Sequence, residues 1–128
     1  MNTYHYLALN SIEGLGPSRI KTLLDLYQTP DRIFESADVV QLRHLRIPSQ
    51  AIHQIVNFSR QRALLEAVDL EMEWQERADQ SIVTLSDPQY PQRLKEIHQP
   101  PPLLFLKGDA NRLDEPQIAM VGSRKCTI

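Results

Sequence analysis

The chain has 128 residues, 41% hydrophobic and 23% charged, a composition typical of a folded globular protein that excludes a disordered or fibrous one. Its net charge is −2, from 14 lysines and arginines against 16 aspartates and glutamates. It therefore lacks the basic balance of a general nucleic-acid binder, and any such contact must be local. The single cysteine, Cys126, excludes an intrachain disulfide and a zinc site made of cysteines. Because no export signal or membrane-spanning window is visible, we expect a cytoplasmic protein.

The first part of the chain, residues 1–78, is predicted to be a helical domain because its apolar residues recur at helical spacing. Four or five helices joined by short turns are expected. Their predicted starts are Pro17, Pro30, Ser36 as the cap of a helix over 37–45, and Pro48 or Ser49 for the longest helix, which runs through Gln61 towards Ala78.

One segment of this part, IEGLGPSRIKTLL from Ile12 to Leu24, has the pattern typical of a helix-hairpin-helix motif. Gly14 and Gly16 allow a tight turn and leave backbone N–H groups at the start of the next helix available to a phosphate, which the helix dipole favours. The alternative is a purely structural corner, which Glu13 favours because its charge repels phosphate. The candidate charge partners are Arg19 and Lys21.

A second, weaker copy of the motif is LRHLRIPSQAIHQIV, from Leu42 to Val56. It has Leu45-Arg46-Ile47 where the glycines would be, and without glycine the backbone cannot approach a phosphate as closely. We therefore interpret this copy as structural. Its cations form either a small basic spot or a solvated face; they are Arg43, His44 and Arg46.

The second part, residues 79–128, is predicted to begin near Asp79, where the pattern changes to short apolar runs separated by proline-rich turns. Strands are predicted over 81–85, 103–106 and 118–122, with a short helix opened by Pro91 between the first two. This alternation is typical of an α/β sheet, and the near-continuous apolar runs favour parallel strands covered on both faces.

The end of the chain, IAMVGSRKCT from Ile118 to Thr127, is the third candidate binding segment. A strand that runs into a glycine, a hydroxyl group and two basic residues can offer N–H groups and a guanidinium to phosphate oxygens. A structural strand end is the alternative, and the full dinucleotide fingerprint is absent. The candidate nucleic-acid contacts here are Gly122, Ser123, Arg124, Lys125 and Thr127.

The remaining chemical side chains predict no catalytic residue, metal or cofactor. The four histidines lack metal-ligand spacing, and Ser123 lacks the second glycine of a nucleophile elbow. Trp74 either stacks on a base or packs at the junction between the two parts, and the second is the commoner role. Tyr90 is interpreted as a core or turn residue.

Together these segments resemble the DNA-processing protein family called DprA or Smf. The resemblance rests on SDPQYPQRLKEIHQPPPLLFLKGD, residues 86–109, and on PQIAMVGSRKCT, residues 116–127, behind the EGLGPSRI hairpin. The family pattern is Tyr-Pro, Leu and Ile, then Pro-Pro before an apolar strand ending in Lys-Gly, then Val-Gly-Ser-Arg. The matching residues are Tyr90, Pro91, Leu94, Ile97, Pro101, Pro102, Lys107, Gly108, Val121, Gly122, Ser123 and Arg124.

The resemblance implies a two-part α+β chain: a helix-hairpin-helix, sterile-alpha-motif-like (SAM-like) bundle followed by the first strands of a Rossmann-like domain. It implies a non-enzymatic protein that binds and protects incoming single-stranded DNA and helps to load the RecA recombinase in natural transformation. It also implies a homodimer and phosphate contacts by Gly122, Ser123 and Arg124, with Lys125 included by adjacency. The family's loop continues into a Tyr-Gly step and most of the sheet, so we expect this chain to be an N-terminal fragment.

Two other classes of function remain open from the sequence. One is a Rossmann-like nucleotide-binding enzyme, whose acidic catalyst would have to lie beyond Ile128. The other is a helical protein-interaction module that does not bind DNA, which the slightly acidic balance favours.

Overall fold

The computed structural model describes residues 3–77, 79–107 and 120–121. Within those residues the chain forms a helical part followed by a small sheet. The elements in chain order are α1 (Thr3–Ser11), α2 (Pro17–Tyr27), α3 (Pro30–Ser36), α4 (Val39–His44), α5 (Ser49–Val56), a 3₁₀ turn (Phe58–Arg60), α6 (Arg62–Gln75), β1 (Gln80–Thr84), α7 (Gln92–Lys95), β2 (Leu103–Lys107) and β3 (Met120–Val121).

Prolines start two of the helices where the sequence predicts. Pro17 and Pro30 are the first residues of α2 and α3, positions where the missing N–H has no intrahelical partner to lose. The predicted cap of α4 is wrong, since Ser36 is the last residue of α3. The side chain of Asp38 caps α4 instead, accepting a hydrogen bond from the backbone N–H of Gln41 at 2.8 Å.

The predicted long helix from Pro48 towards Ala78 is two helices, α5 and α6, separated by the 3₁₀ turn. Asn57 is the C-cap of α5: its backbone N–H makes the last helical hydrogen bond, to the carbonyl of His53, and its side-chain amide donates to the same carbonyl. Phe58 then packs against Phe34 of α3 with ring centroids 4.2 Å apart. A straight continuation of α5 would lose this contact.

The helices enclose one apolar cluster at the centre of the helical part. Its members come from α1, α2, α3, α4, α5 and α6 and from the turns between them. They are Leu9, Ile12, Leu15, Ile20, Leu23, Ile33, Leu42, Ile47, Ala51, Ile52, Ile55 and Leu64.

The sheet has the order β1-β2-β3, and both strand pairs are antiparallel. Ile82 lies opposite Phe105, and Leu106 lies opposite Met120. The expectation of parallel strands is therefore wrong for these pairs, although the expectation that both faces are covered is confirmed for β1 and β2. Apolar runs report burial on two faces, and that burial is the same for either strand direction.

One face of the sheet packs on the helical part and the other on the segment that contains α7. Ile82 and Phe105 join α1 and α6 in a second cluster, whereas Val83 and Leu104 lie in a third cluster with Tyr90. The chain therefore changes from helix to strand near Asp79 as predicted, but α1, α6 and the sheet share an apolar core. The division into domains 1–78 and 79–128 stays a prediction.

Candidate nucleic-acid interface

The first hairpin, residues 12–16, joins α1 to α2 and requires glycine at one position. Gly14 has a φ of +90°, in the left-handed region that residues with a Cβ avoid. A Cβ there would also lie 3.3 Å from the Cγ of Pro48. Leu15, the next residue, is fully buried, so it anchors the turn in the core while Gly14 stays exposed.

Gly16 has a different role from Gly14. Its φ of −84° suits any residue, and nothing lies within 4 Å of the place that a Cβ would take, so the turn itself does not require glycine here. Gly16 is the N-cap of α2, and no side chain caps that end of the helix. The start of α2 is therefore not covered by a capping group, which is the condition for an anion contact.

The two charge partners predicted for this hairpin have different positions. Arg19 folds back on the turn, and its Nη1 donates to the carbonyl of Gly14 at 3.3 Å. Lys21 pairs with Asp25 at 3.2 Å along the exposed side of α2. Glu13 is exposed beside the turn. Of these two cations only Arg19 lies at the hairpin, and the carboxylate of Glu13 lies in the same turn.

The second hairpin, residues 45–48, has the same backbone plan at a distance of 32 positions along the chain. Arg46 has a φ of +61° and is therefore left-handed, like Gly14. The next residue, Ile47, is buried, like Leu15 in the first hairpin. Pro48 is the N-cap of α5, and its carbonyl accepts the N–H of Ile52 at 2.9 Å. The corresponding bond in the first unit joins residues 20 and 16 at 3.0 Å. The weaker copy inferred from the sequence therefore joins α4 to α5 by a turn whose backbone features match those of the first hairpin.

The third candidate segment is represented by β3 alone. Met120 and Val121 pair with Leu106 and Phe105. The candidates that follow them lie outside the described residues; these are Gly122, Ser123, Arg124, Lys125 and Thr127.

The Ser86–Tyr90 part of the resemblance forms a turn after β1 in which Asp87 and Tyr90 are buried. One carboxylate oxygen of Asp87 accepts the backbone N–H of Thr84 at 2.9 Å and lies 3.4 Å from its hydroxyl. Tyr90 donates its hydroxyl to the carbonyl of Pro101 at 2.7 Å, and burial raises the pKa of Tyr90 to about 12. Sequence reasoning missed the role of Asp87, whose signal is an aspartate three residues after the end of a strand. Asp87 and Tyr90 therefore have structural roles: they fix the turn to the end of β1 and to the proline segment before β2.

Trp74 and the histidines add no further site in the described part of the chain. Trp74 contacts Phe105 edge to face with ring centroids 5.5 Å apart, which confirms its interpretation as a packing residue between helix and sheet. No group of three metal-ligating side chains occurs within residues 3–77, 79–107 and 120–121. The helices in those ranges are too short or too polar to cross a bilayer.

Comparison with known proteins gives one family model and two relatives. The model described as "DNA recombination-mediator protein A" matches residues 81–128. "DNA processing protein DprA" of Streptococcus pneumoniae is 30% identical over 114 residues, covering 89% of this chain and 37% of that protein. "Protein Smf" of Synechocystis is 26% identical over 124 residues, covering 94% of this chain and 30% of that protein. The chain thus spans about a third of the length of these relatives. No solved structure matches the chain with significant similarity.

Proposed function

Because the family model and both relatives support the DprA/Smf family, as the motif string predicts, we propose that this chain is part of a non-enzymatic DNA-processing protein. In this proposal the protein binds and protects incoming single-stranded DNA in the cytoplasm and assists RecA loading during natural transformation. The observation that carries the proposal is the match of one family over residues 81–128 together with relatives that cover nearly the whole chain.

The proposed architecture is a helix-hairpin-helix, SAM-like bundle followed by the beginning of a Rossmann-like domain. The two matched hairpins support the first half of this assignment. A sheet with apolar residues on both faces supports the second half. Both described strand pairs, β1 with β2 and β2 with β3, are antiparallel, so the parallel core of the proposed Rossmann-like sheet would have to be formed by other strands.

The proposed DNA contacts follow β3 and the first hairpin. Gly122 and Ser123 would offer backbone and hydroxyl donors to phosphate, and Arg124 would form paired hydrogen bonds to its oxygens. Lys125 and Thr127 would extend the same contact. Gly14 and Gly16 would supply a second phosphate contact at the uncapped start of α2. The native assembly is proposed to be a homodimer.

The direct test measures fluorescence anisotropy of a labelled single-stranded oligonucleotide at low and moderate salt. Wild-type protein should bind it, and Arg124→Gln should weaken binding about tenfold and lower the salt slope by about 0.7, since one phosphate contact is lost. Arg93→Gln, an exposed arginine on α7, is the matched control and should leave binding unchanged.

Two results would show the proposal to be wrong: no binding by the wild-type protein at low salt, or equal binding by the wild-type protein and Arg124→Gln. The same preparations should protect the oligonucleotide from an added nuclease. They should also leave nucleoside monophosphates intact, whereas turnover of these compounds would favour the nucleotide-binding enzyme.

A further inference from the structure

Positive charge is concentrated in one stretch of the helical part. Residues 39–65 contain four arginines and no aspartate or glutamate, although the chain as a whole carries a net charge of −2. This stretch comprises α4, the second hairpin, α5, the 3₁₀ turn and the start of α6. Two of these arginines, Arg43 and Arg46, lie in α4 and the second hairpin, with Asp38 at the N-cap of α4, whereas Glu13 lies beside Arg19 at the first hairpin. A polyanion is therefore attracted more strongly to the second hairpin than to the first.

The same stretch contains an open cavity of about 290 Å³. Among the described residues it is lined by Val40, Arg43 and His44, which the helical spacing of three and four places on one side of α4. Val40 is 65% exposed, although it is a large apolar side chain. This open surface depression thus combines one exposed apolar side chain with two basic side chains.

Arg46 adds a cation at a position where the backbone conformation disfavours any residue with a Cβ. Its φ of +61° lies in the region that glycine and asparagine adopt with least strain. Its side chain is exposed, and the ion pair found among the described residues joins Lys21 to Asp25 elsewhere. The fold alone would be served better by glycine, as at the matching position 14.

A purely structural role accounts for only part of this arrangement. Arg43 and His44 lie in the last turn of α4, where cations stabilise the negative end of a helix. That effect does not act on Arg46 or Val40, although left-handed non-glycine residues also occur at Gln28 and Asp79 and Leu70 is as exposed as Val40. What sets α4 and the second hairpin apart is that Arg43, Arg46 and Val40 are exposed together, which suits a partner that is both anionic and partly apolar.

We propose that α4 and the second hairpin form a face that holds single-stranded nucleic acid, with Arg43 and Arg46 on phosphates and a base against Val40. This inference rests on the proposed function. It assigns the stronger nucleic-acid contact of the helical part to the second hairpin, which lacks glycine, and not to the first. Nucleic acid is favoured over an acidic peptide because the proposed function is DNA processing, and because the cations lie beside an exposed apolar side chain, Val40, that the flat face of a base can cover.

The test compares Arg43→Gln/Arg46→Gly with Arg93→Gln/Lys95→Gln, which removes the same charge from the exposed side of α7. Anisotropy with labelled oligothymidylate is recorded for the whole chain across a salt series. The hairpin variant should bind about tenfold more weakly, and its salt slope should fall by about 1.4, from about 0.7 for each lost phosphate contact. Its thermal midpoint should change little, because the relief of left-handed strain at position 46 offsets the loss of the Arg43 charge at the end of α4.

The outcomes separate this inference from the proposed function. If the wild-type protein binds and the hairpin variant binds equally well, the inference is wrong and the proposed function stands. If the wild-type protein does not bind at low salt, the proposed function is wrong and so is the inference. If labelled polyglutamate binds the wild-type protein more tightly than the oligonucleotide at equal charge concentration, and binds the hairpin variant more weakly than the wild-type protein, the face prefers acidic protein and the assignment to nucleic acid is overturned.

Discussion

The two hairpins of the helical part have one backbone plan and opposite surface chemistry. Gly14 and Arg46 are both left-handed, and the residues that follow them, Leu15 and Ile47, are both buried. The first turn carries an exposed glutamate beside it, whereas the second lies in a stretch without carboxylates. Glycine is thus favoured at position 14, where a Cβ would also lie 3.3 Å from Pro48, whereas arginine adopts the left-handed φ at position 46. The absence of glycine did not remove the second turn.

The hairpins also support each other in the tertiary structure. The position where Gly14 would carry a Cβ faces the side chains of Pro48 and Ala51, at the start of α5. Leu15 and Ile47 belong to the same core cluster. The first hairpin therefore packs against the helix that the second hairpin starts, which leaves their exposed surfaces free to differ.

The largest expected effect comes from the buried residue of each turn. Leu15→Ala and Ile47→Ala should each lower the free energy of unfolding by about 2–5 kcal/mol, because each leaves a cavity in one shared core. Chemical denaturation followed by circular dichroism measures this change. Val40→Ala, at a residue that is 65% exposed, is the control and should change stability by less than about 0.5 kcal/mol. A small loss for Ile47→Ala beside a large loss for Leu15→Ala would contradict the structural equivalence.

The next effect concerns the left-handed positions and should have opposite signs in the two turns. Gly14→Ala should lower the free energy of unfolding by about 1–3 kcal/mol, since it puts a Cβ at a φ of +90° and against Pro48. Arg46→Gly should raise it by about 0.5 kcal/mol, which is the relief of left-handed strain less the greater entropy of unfolded glycine. Denaturant midpoints at constant slope measure both. Destabilisation by both changes would mean that Arg46 supports the fold through its side chain.

The smallest effect tests the uncapped start of α2. Gly16→Ser should raise the free energy of unfolding by about 0.3 kcal/mol, because a hydroxyl at the N-cap can accept an N–H of the first turn. Thermal unfolding in parallel with Gly16→Ala provides the control, since alanine offers no oxygen. Equal stabilisation by alanine and serine would show that the gain comes from the unfolded state and not from capping.

Much of the local structure could be predicted from residues whose effects are local. Pro17 and Pro30 fix φ and lack an N–H, so each marks a helix start wherever the chain lies. The same kind of reasoning found both turns and the change to strands near Asp79. The predicted cap of α4 was wrong. Ser36 and Asp38 are both good capping residues, and the sequence does not show that α3 continues through Ser36.

Prediction of the candidate site was less complete. The first hairpin was identified because its glycines are a direct signal, and the residues from Gly122 to Thr127 stay a prediction. The second hairpin was given a structural role because glycine is absent. The cavity beside Arg43 and the left-handed φ of Arg46 are properties of the folded chain, and no spacing rule reveals them.

The sequence by itself determined the starts of α2, α3 and α5, the change from helix to strand near Asp79, and that both faces of β1 and β2 are covered, because these depend on side-chain chemistry and local sterics. The tertiary structure decided the strand direction and the break between α5 and α6. Both depend on contacts between residues distant in the chain, Ile82 with Phe105 and Phe58 with Phe34. Such contacts gain free energy only when the partners meet, so the local pattern is compatible with more than one arrangement.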